Sequence, residues 1–251
     1  MRTLAVLAGL LAAAVPVPAA AADIKVLTAG AFKQVVLALV PAFEKTSGHK
    51  VALDNDTVGA LVKRIEGGEA FDVAIVSPAA LDKLAKEGKT APGAVALARV
   101  GIGVVVKEGA PRPDISTVEA FKRALLAAKS VAYIDPAAGG SSGIYVAGLL
   151  ERLGIADAIK PKAKLIKGGA VAEHVVAGEA EIGVHQISEI LPVKGAVLVG
   201  PLPPEIQNYT VYAAGVGATA KDGEAAKALV AFLSGPAAAP VVKAKGMEPA
   251  R

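Results

Sequence analysis

The sequence predicts an α/β protein of two lobes, each a mostly parallel sheet flanked by helices, with two extended segments crossing between them. Three observations carry this reading. Short β-branched runs alternate with longer amphipathic segments in both halves of the chain, the rhythm of strand-helix-strand units whose crossover helices cover a parallel sheet. Two β-rich runs, VALARVGIGVVVKEG and YTVYAAGVGA, interrupt that rhythm near residues 100 and 212. The length, 251 residues, suffices for two lobes of roughly 110 residues, each able to bury its own core.

The first 22 residues stand apart from the rhythm. Arg2 precedes the apolar run TLAVLAGLLAAAVPV, and the small residues PAAAA lead to Asp23, the order of a secretory leader (signal peptide) cleaved after Ala22. The apolar run, roughly 15 residues, falls short of the ~20 that a membrane-spanning helix needs. An exported chain beginning at Asp23 is expected.

From Asp23 onward, IKVLTAG reads as a strand and AFKQVVLALVPAFEKTSG as a helix. Phe32, Val35, Val36, Leu39 and Phe43 share one helical face, and Gly48 is the stop. KVALDND is the next strand, GALVKRIEGG a helix ended by two glycines, and FDVAIVS a near-continuous apolar strand. Pro78 opens the short helix AALDKLAKEG at a position where its missing N–H costs little. After the first crossing come the helix TVEAFKRALLAAKS, the strand VAYID, a helix from Ser142 to about Leu153, the strand AKLIKG, the helix AVAEHVVAGE and the strand AEIGVHQ. The second crossing returns to the first lobe, where GEAAKALVAFLSG forms the last helix and PVVKAKGMEP a closing tail. The expected first lobe is thus residues 23–103 with 213–251, and the second is 104–212.

Composition narrows the chemistry. There is no cysteine, which excludes disulfides, thiolate metal ligation and a thiol nucleophile. Removing Arg2 from the 27 lysines and arginines leaves 26 against 23 acidic residues, a formal charge of +3. The basic residues are scattered and aromatics make up only 4%, which gives neither a nucleic-acid groove nor a basic membrane face.

In an open parallel sheet, ligands are met beyond the carboxyl ends of the strands, where helix N-termini point inward. Four strand-to-helix junctions qualify: TAGAF (Thr28 to Phe32), DNDTVGA (Asp54 to Ala60), DPAAGGSSGIY (Asp135 to Tyr145) and KGGAVAEH (Lys167 to His174). Each helix start offers unpaired N–H groups and about half a positive charge, so several facing one cleft bind an anion without arginine. Ser, Thr, Asp and Gly in these places also meet the needs of ordinary capping, worth ~1 kcal/mol per helix. GGSSG holds more glycine than a cap requires, at an entropic cost. It lacks the lysine of a phosphate loop and the spacing of a dinucleotide fingerprint.

His49 follows a helix stop and His174 lies mid-helix beside Glu173, so both read as solvent-facing. His185 ends the strand AEIGVHQ, where ligands are met. None has metal-ligand spacing, and Asp54 with Asp56 lacks the glutamate of a calcium loop. No metal or other cofactor is expected. No serine occupies a G-x-S-x-G elbow, and no Ser-His-Asp set can be assembled.

The strings VLTAGAF, LVPAFEKTSGHKV, ALVKRIEGGEAFDVAIVS, DPAAGGSSGIYVAGLLERLGI and AEIGVHQISEI, in this order and spacing, resemble the periplasmic solute-binding proteins of ABC importers. More narrowly they are similar to the molybdate-binding branch, from about Ile24 to the last helix. The resemblance implies a two-lobed periplasmic-binding-protein fold hinged at its two crossings, a small anion in the inter-lobe cleft, an ABC permease as membrane partner, and a monomer. The expected ligand contacts are Ala31, Phe32, Asn55, Asp56, Thr57, Ser141, Ser142, Gly143, Ala170, Val171, Gln186 and Tyr209. Ala31 stands where the branch carries its first serine, Thr57 is the one hydroxyl of the second loop, and Gln186 replaces the binding tyrosine. Losing such donors, each worth ~1–3 kcal/mol toward a charged group, shifts the expected ligand from molybdate toward a small carboxylate partnered by Asn55, Asp56 and Gln186.

Two functions follow. One is capture of a small anion, a molybdate-like oxyanion or a small carboxylate, for ABC-type import. The other is an isomerase on the same scaffold, since fold does not fix function and periplasmic aconitate isomerases resemble this branch. Such a reaction moves a proton in a tricarboxylate with one or two acid–base groups in a dry cleft, for which His185, Tyr145 and Tyr209 are the expected side chains. The absence of a compact catalytic constellation favours capture.

Overall fold

The structure, a computed structural model, describes residues 21–250. The expected leader therefore lies outside the described residues, apart from Ala21 and Ala22. Strands β1 (Asp23–Ala29), β2 (Lys50–Asp56) and β3 (Val73–Val76) pair in parallel in the order β2-β1-β3. Between them run α1 (Gly30–Ser47) and α2 (Val58–Glu66), and α3 (Pro78–Lys86) follows. The sheet is covered on both faces, which is why all four residues of β3 are apolar and buried. Phe32, Val35, Val36, Leu39 and Phe43 of α1 pack on one face, and α1 stops at Gly48, which takes the left-handed conformation (φ 76°). Leu61 and Ile65 of α2 and Leu81 and Leu84 of α3 pack on the other.

The long strand β4 (Val95–Lys107) leads into α4 (Val118–Ala127), β5 (Val131–Ile134), α5 (Ser141–Arg152), α6 (Ala156–Ile159), β6 (Ala163–Ile166), α7 (Val171–Val176) and β7 (Ile182–Gln186). Next come α8 (Ile187–Ile190), β8 (Ala196–Pro201), β9 (Tyr209–Val216), α9 (Gly223–Ser234), α10 (Ala238–Ala244) and β10 (Glu248–Pro249). The principal strand order is β2-β1-β3-β9-β4-β7-β5-β6, with β8 and β10 also on β4. Strand β4 changes partners midway. Residues 95–101 pair antiparallel with β9, and residues 102–107 with β7 and β8. Two chain passages thus join the blocks: β4 itself, and the segment from β8 to β9.

Hydrophobic packing follows the same division. One core draws on residues 24–100 and again on residues 212–247. The other is drawn from residues 102–202 without interruption. Three features differ from the sequence reading. The expected tail contains α10, whose Ala238 and Val242 are buried in the first core. A one-turn helix, α8, follows directly on β7, where only a strand end is expected. His49 is buried rather than solvent-facing, because its Nδ1 accepts from the Ala22 N–H (3.1 Å) and its ring lies 6.0 Å from that of Phe43. Among the described residues no single helix is long and apolar enough to cross a membrane.

Candidate functional site

A cavity of about 300 Å³ opens between the two blocks, where β1, β2, β5 and β7 end. This is the place a parallel α/β sheet assigns to ligands, because successive helices begin there. Helices α1, α5, α7 and α8 begin at Ala29, Gly140, Ala170 and Gln186, and none of them has a side-chain cap. Their first N–H groups are left for another acceptor. By contrast α3, α4 and α9, which start elsewhere, are capped by Ser77, Thr117 and Asp222. The short α6 and α10 also lack caps, away from the cavity. Capping does account for Thr57, whose Oγ1 accepts from the Ala60 N–H at the start of α2 (3.2 Å). The same hydroxyl donates to the Ala138 carbonyl on the opposite block (2.5 Å).

The glycines of GGSSG serve close approach. Gly139 ends a 3₁₀ turn in the left-handed conformation (φ 73°), and its carbonyl accepts from the Gly59 N–H across the cleft (3.1 Å). A Cβ on Gly140 would lie 2.6 Å from Ile134 Cγ2, and one on Gly143 would lie 2.2 Å from the Ile134 carbonyl oxygen. Tight packing on β5 brings the α5 start to the cavity, with Ser141 and Ser142 in its lining.

Opposite the α5 start stands a polar group built on β7, α8 and β9. His185 is 1% exposed, with its Nε2 3.4 Å from Oε2 of Glu189, four residues further along the chain. Burial pushes the His185 pKa down to about 3 and the Glu189 pKa up to about 8. At neutral pH the imidazole is therefore uncharged and the carboxyl mostly protonated, which avoids two unsolvated charges. Gly30 makes room for this carboxyl, since a Cβ there would stand 2.5 Å from Glu189 Oε1. The Tyr212 hydroxyl donates to Gln186 Oε1 (2.9 Å), and Gln186 Nε2 donates to Thr210 Oγ1 (3.3 Å). Burial, then the neighbouring Glu189, pushes the Tyr212 pKa up, so the phenol remains a donor.

Of the residues expected from sequence, Ala31, Asn55, Asp56, Thr57, Ser141, Ser142, His185 and Gln186 line this cavity together. Others lie elsewhere, for physical reasons. Phe32 and Val171 point into hydrophobic cores, and Gly143 backs onto Ile134. The Tyr145 hydroxyl donates to the Ile206 carbonyl (2.7 Å), with the Arg152 guanidinium over its ring. Tyr209 is 45% exposed under Arg99. Ala170 lines an adjoining cavity of about 320 Å³, which shares Gly30, Asn55, Gly169 and Glu189 with the first and contains Lys33 and Lys194. Glu189 and Tyr212 are the residues that sequence reasoning missed. Strand alternation in YTVYAAG puts Thr210 and Tyr212 on the buried side and Tyr209 outside. Tyr212 thus places a phenol in the cavity lining, beside Gln186.

Residues 24–248 match the family of bacterial extracellular solute-binding proteins. The chain is 35% identical to a protein named aconitate isomerase from a Pseudomonas species, over 97% of this chain and 95% of that one. It is 31% identical to the molybdate-binding protein of Azotobacter vinelandii, over 95% and 93%. The solved structure of the Azotobacter vinelandii periplasmic molybdate-binding protein aligns with a TM-score of 0.75 at 19% identity, covering 91% of this chain and 100% of that one. The sulfate-binding protein of Mycobacterium tuberculosis aligns at 0.73 and 17% identity, covering 91% and 87%. These structures share the periplasmic-binding-protein fold with this chain. With the family match spanning nearly the whole described sequence, the chain belongs to the bacterial extracellular solute-binding proteins.

Proposed function

We propose that this protein is exported to the periplasm, captures a small polycarboxylate in the cavity between its two lobes, and delivers it to an ABC permease in the membrane. The lobes would be those of the sequence reading, residues 23–103 with 213–251 and residues 104–212, closing about the two chain passages. The observation that carries the ligand class is the convergence on one cavity of the uncapped starts of α1 and α5 with a carboxyl that burial favours in its neutral form and an amide–phenol pair. Backbone N–H groups suit any anion. The side-chain set favours an organic acid: Ala31 offers no hydroxyl, while Glu189 as a neutral acid donates to one carboxylate and Gln186 and Tyr212 approach another.

The test is a thermal-shift screen of the chain from Asp23 against molybdate, tungstate, sulfate, phosphate, acetate and a set of di- and tricarboxylates. A ligand at 100 times its Kd stabilises by about 2.7 kcal/mol. Shifts with polycarboxylates support the proposal, and a shift with molybdate or tungstate alone refutes it.

Glu189 favours a second reading, an isomerase. A carboxyl with a pKa of about 8 suits both removing and returning a proton near neutral pH, and the chain is 35% identical to the protein named aconitate isomerase. In that reaction ionised Glu189 takes a proton from the carbon beside one double bond, the electron pair shifts the double bond by one position, and the Glu189 carboxyl, after exchange with solvent, returns a proton to the far carbon. The reaction consumes no oxidant and releases nothing. Deuterium entering aconitate carbon positions in heavy water would establish turnover, and Glu189→Gln should abolish it while binding persists.

A further inference from the structure

The adjoining cavity of about 320 Å³ has no role in the site as described so far. It shares Gly30, Asn55, Gly169 and Glu189 with the lining of the first cavity, so the two adjoin at the Glu189 carboxyl. Its wall holds two ammonium groups, Lys33 from α1 and Lys194 from the turn before β8. Neither forms an ion pair among the described residues, whereas Lys25 is paired with Glu69 and Arg64 with Asp54; Lys194 is exposed. Lys33 is half-buried and close enough to Glu189 to lower its pKa against the effect of burial. Glu173 stands exposed on the rim.

A compact oxyanion gathers its charge about one atom and occupies one cavity. A polycarboxylate carries separate charges on a carbon chain and extends through both. We propose that the outer cavity is a second anion subsite in which Lys33 and Lys194 hold the distal carboxylate of a di- or tricarboxylate whose proximal carboxylate rests at the α5 start. This inference rests on the polycarboxylate reading and adds the residues that select chain length. Lysine suits the task because an ammonium on a flexible stem follows a carboxylate in several orientations. Because Glu189 between the subsites is a neutral acid at neutral pH, it bridges them without repelling either charge.

The experiment is calorimetric titration of the wild-type chain from Asp23, and of Lys33→Met, Lys194→Met and Lys33→Arg, with trans-aconitate, glutarate, acetate and sulfate. Each Met variant should weaken trans-aconitate and glutarate by about tenfold, the scale of one charge-assisted hydrogen bond. Acetate and sulfate should change by less than twofold, and Lys33→Arg should restore most of the loss. Undiminished polycarboxylate binding in both Met variants overturns the subsite alone. An equal loss for all four anions also overturns it, by showing a diffuse charge effect. A wild-type chain that binds sulfate but neither polycarboxylate overturns the subsite and the polycarboxylate reading together.

Discussion

Replacing Gly59 with alanine probes the contact that holds the two halves together over the cavity. Gly59 is helical, and alanine inside a helix is favoured over glycine by up to ~1 kcal/mol, so the substitution should not weaken α2 itself. Across the cleft, however, a Cβ at this position would lie 2.8 Å from Gly139 Cα and 3.3 Å from Gly139 O. Carbon atoms prefer ~3.5–4.0 Å, and both sides of this contact are backbone, so neither can swing aside. The halves must part locally by roughly 1 Å. That separation breaks the Gly59 N–H to Gly139 carbonyl bond (3.1 Å) and the Thr57 hydroxyl to Ala138 carbonyl bond (2.5 Å). At ~1 kcal/mol net for each, the closed arrangement loses ~2 kcal/mol, equivalent to about 30-fold in ligand affinity. Calorimetric titration of Gly59→Ala with trans-aconitate should show this loss, with the melting temperature of the unliganded protein unchanged or raised. Wild-type affinity in Gly59→Ala would refute the reasoning, since the arrangement described would then not be the one that holds ligand.

Three further outcomes follow from the site. Glu189 has its folded pKa raised from 4.5 to about 8, so its protonated form favours the fold and stability is lost as pH rises through 8; His185, lowered from 6.5 to about 3, loses stability only below pH 6.5. Chemical denaturation should therefore show stability falling from pH 6.5 to 8 in the wild type, and Glu189→Gln should flatten that slope. Tyr212→Phe keeps the ring but removes the donor to Gln186, which should weaken polycarboxylate binding five- to tenfold, at ~1 kcal/mol, as read by the same titration. Gly143→Ala places a Cβ 2.2 Å from the Ile134 carbonyl oxygen, and should lower stability by ~1–3 kcal/mol through overpacking, seen as a fall in melting temperature without ligand.

The strand–helix rhythm was legible because burial on both faces of a sheet demands apolar strands, and α1 demands apolar residues at helical spacing. The junctions were legible for the same reason, since strand ends and helix starts mark where a ligand is met. Side-chain direction at those junctions was harder to read. Tyr209 and Tyr212 differ by three positions in one strand, and only the pairing of β9 with β3 and β4 decides which faces inward. Gly143 reads as part of an anion loop, yet its place is set by Ile134 on a strand whose packing distance no local pattern reveals. Glu189 was hidden because α8 is a single turn, too short for periodicity to register.

The division of β4 between two sets of partners bears on the order in which the molecule comes together. The core around residues 102–202 is drawn from one continuous stretch, so its contacts close short loops and form without waiting for the rest of the chain. The other core needs residues 24–100 to meet residues 212–247, and its strand β3 finds an antiparallel neighbour only when β9 arrives. Because β4 is the seam, the continuous unit presents a half-finished edge, residues 95–101, on which β9 and β10 are laid last. Pulsed hydrogen exchange during refolding should protect the amides of β5 and β7 before those of β1 and β3. Because β9 also brings Tyr212 to the cavity, this order would complete the cavity lining only when β9 is in place.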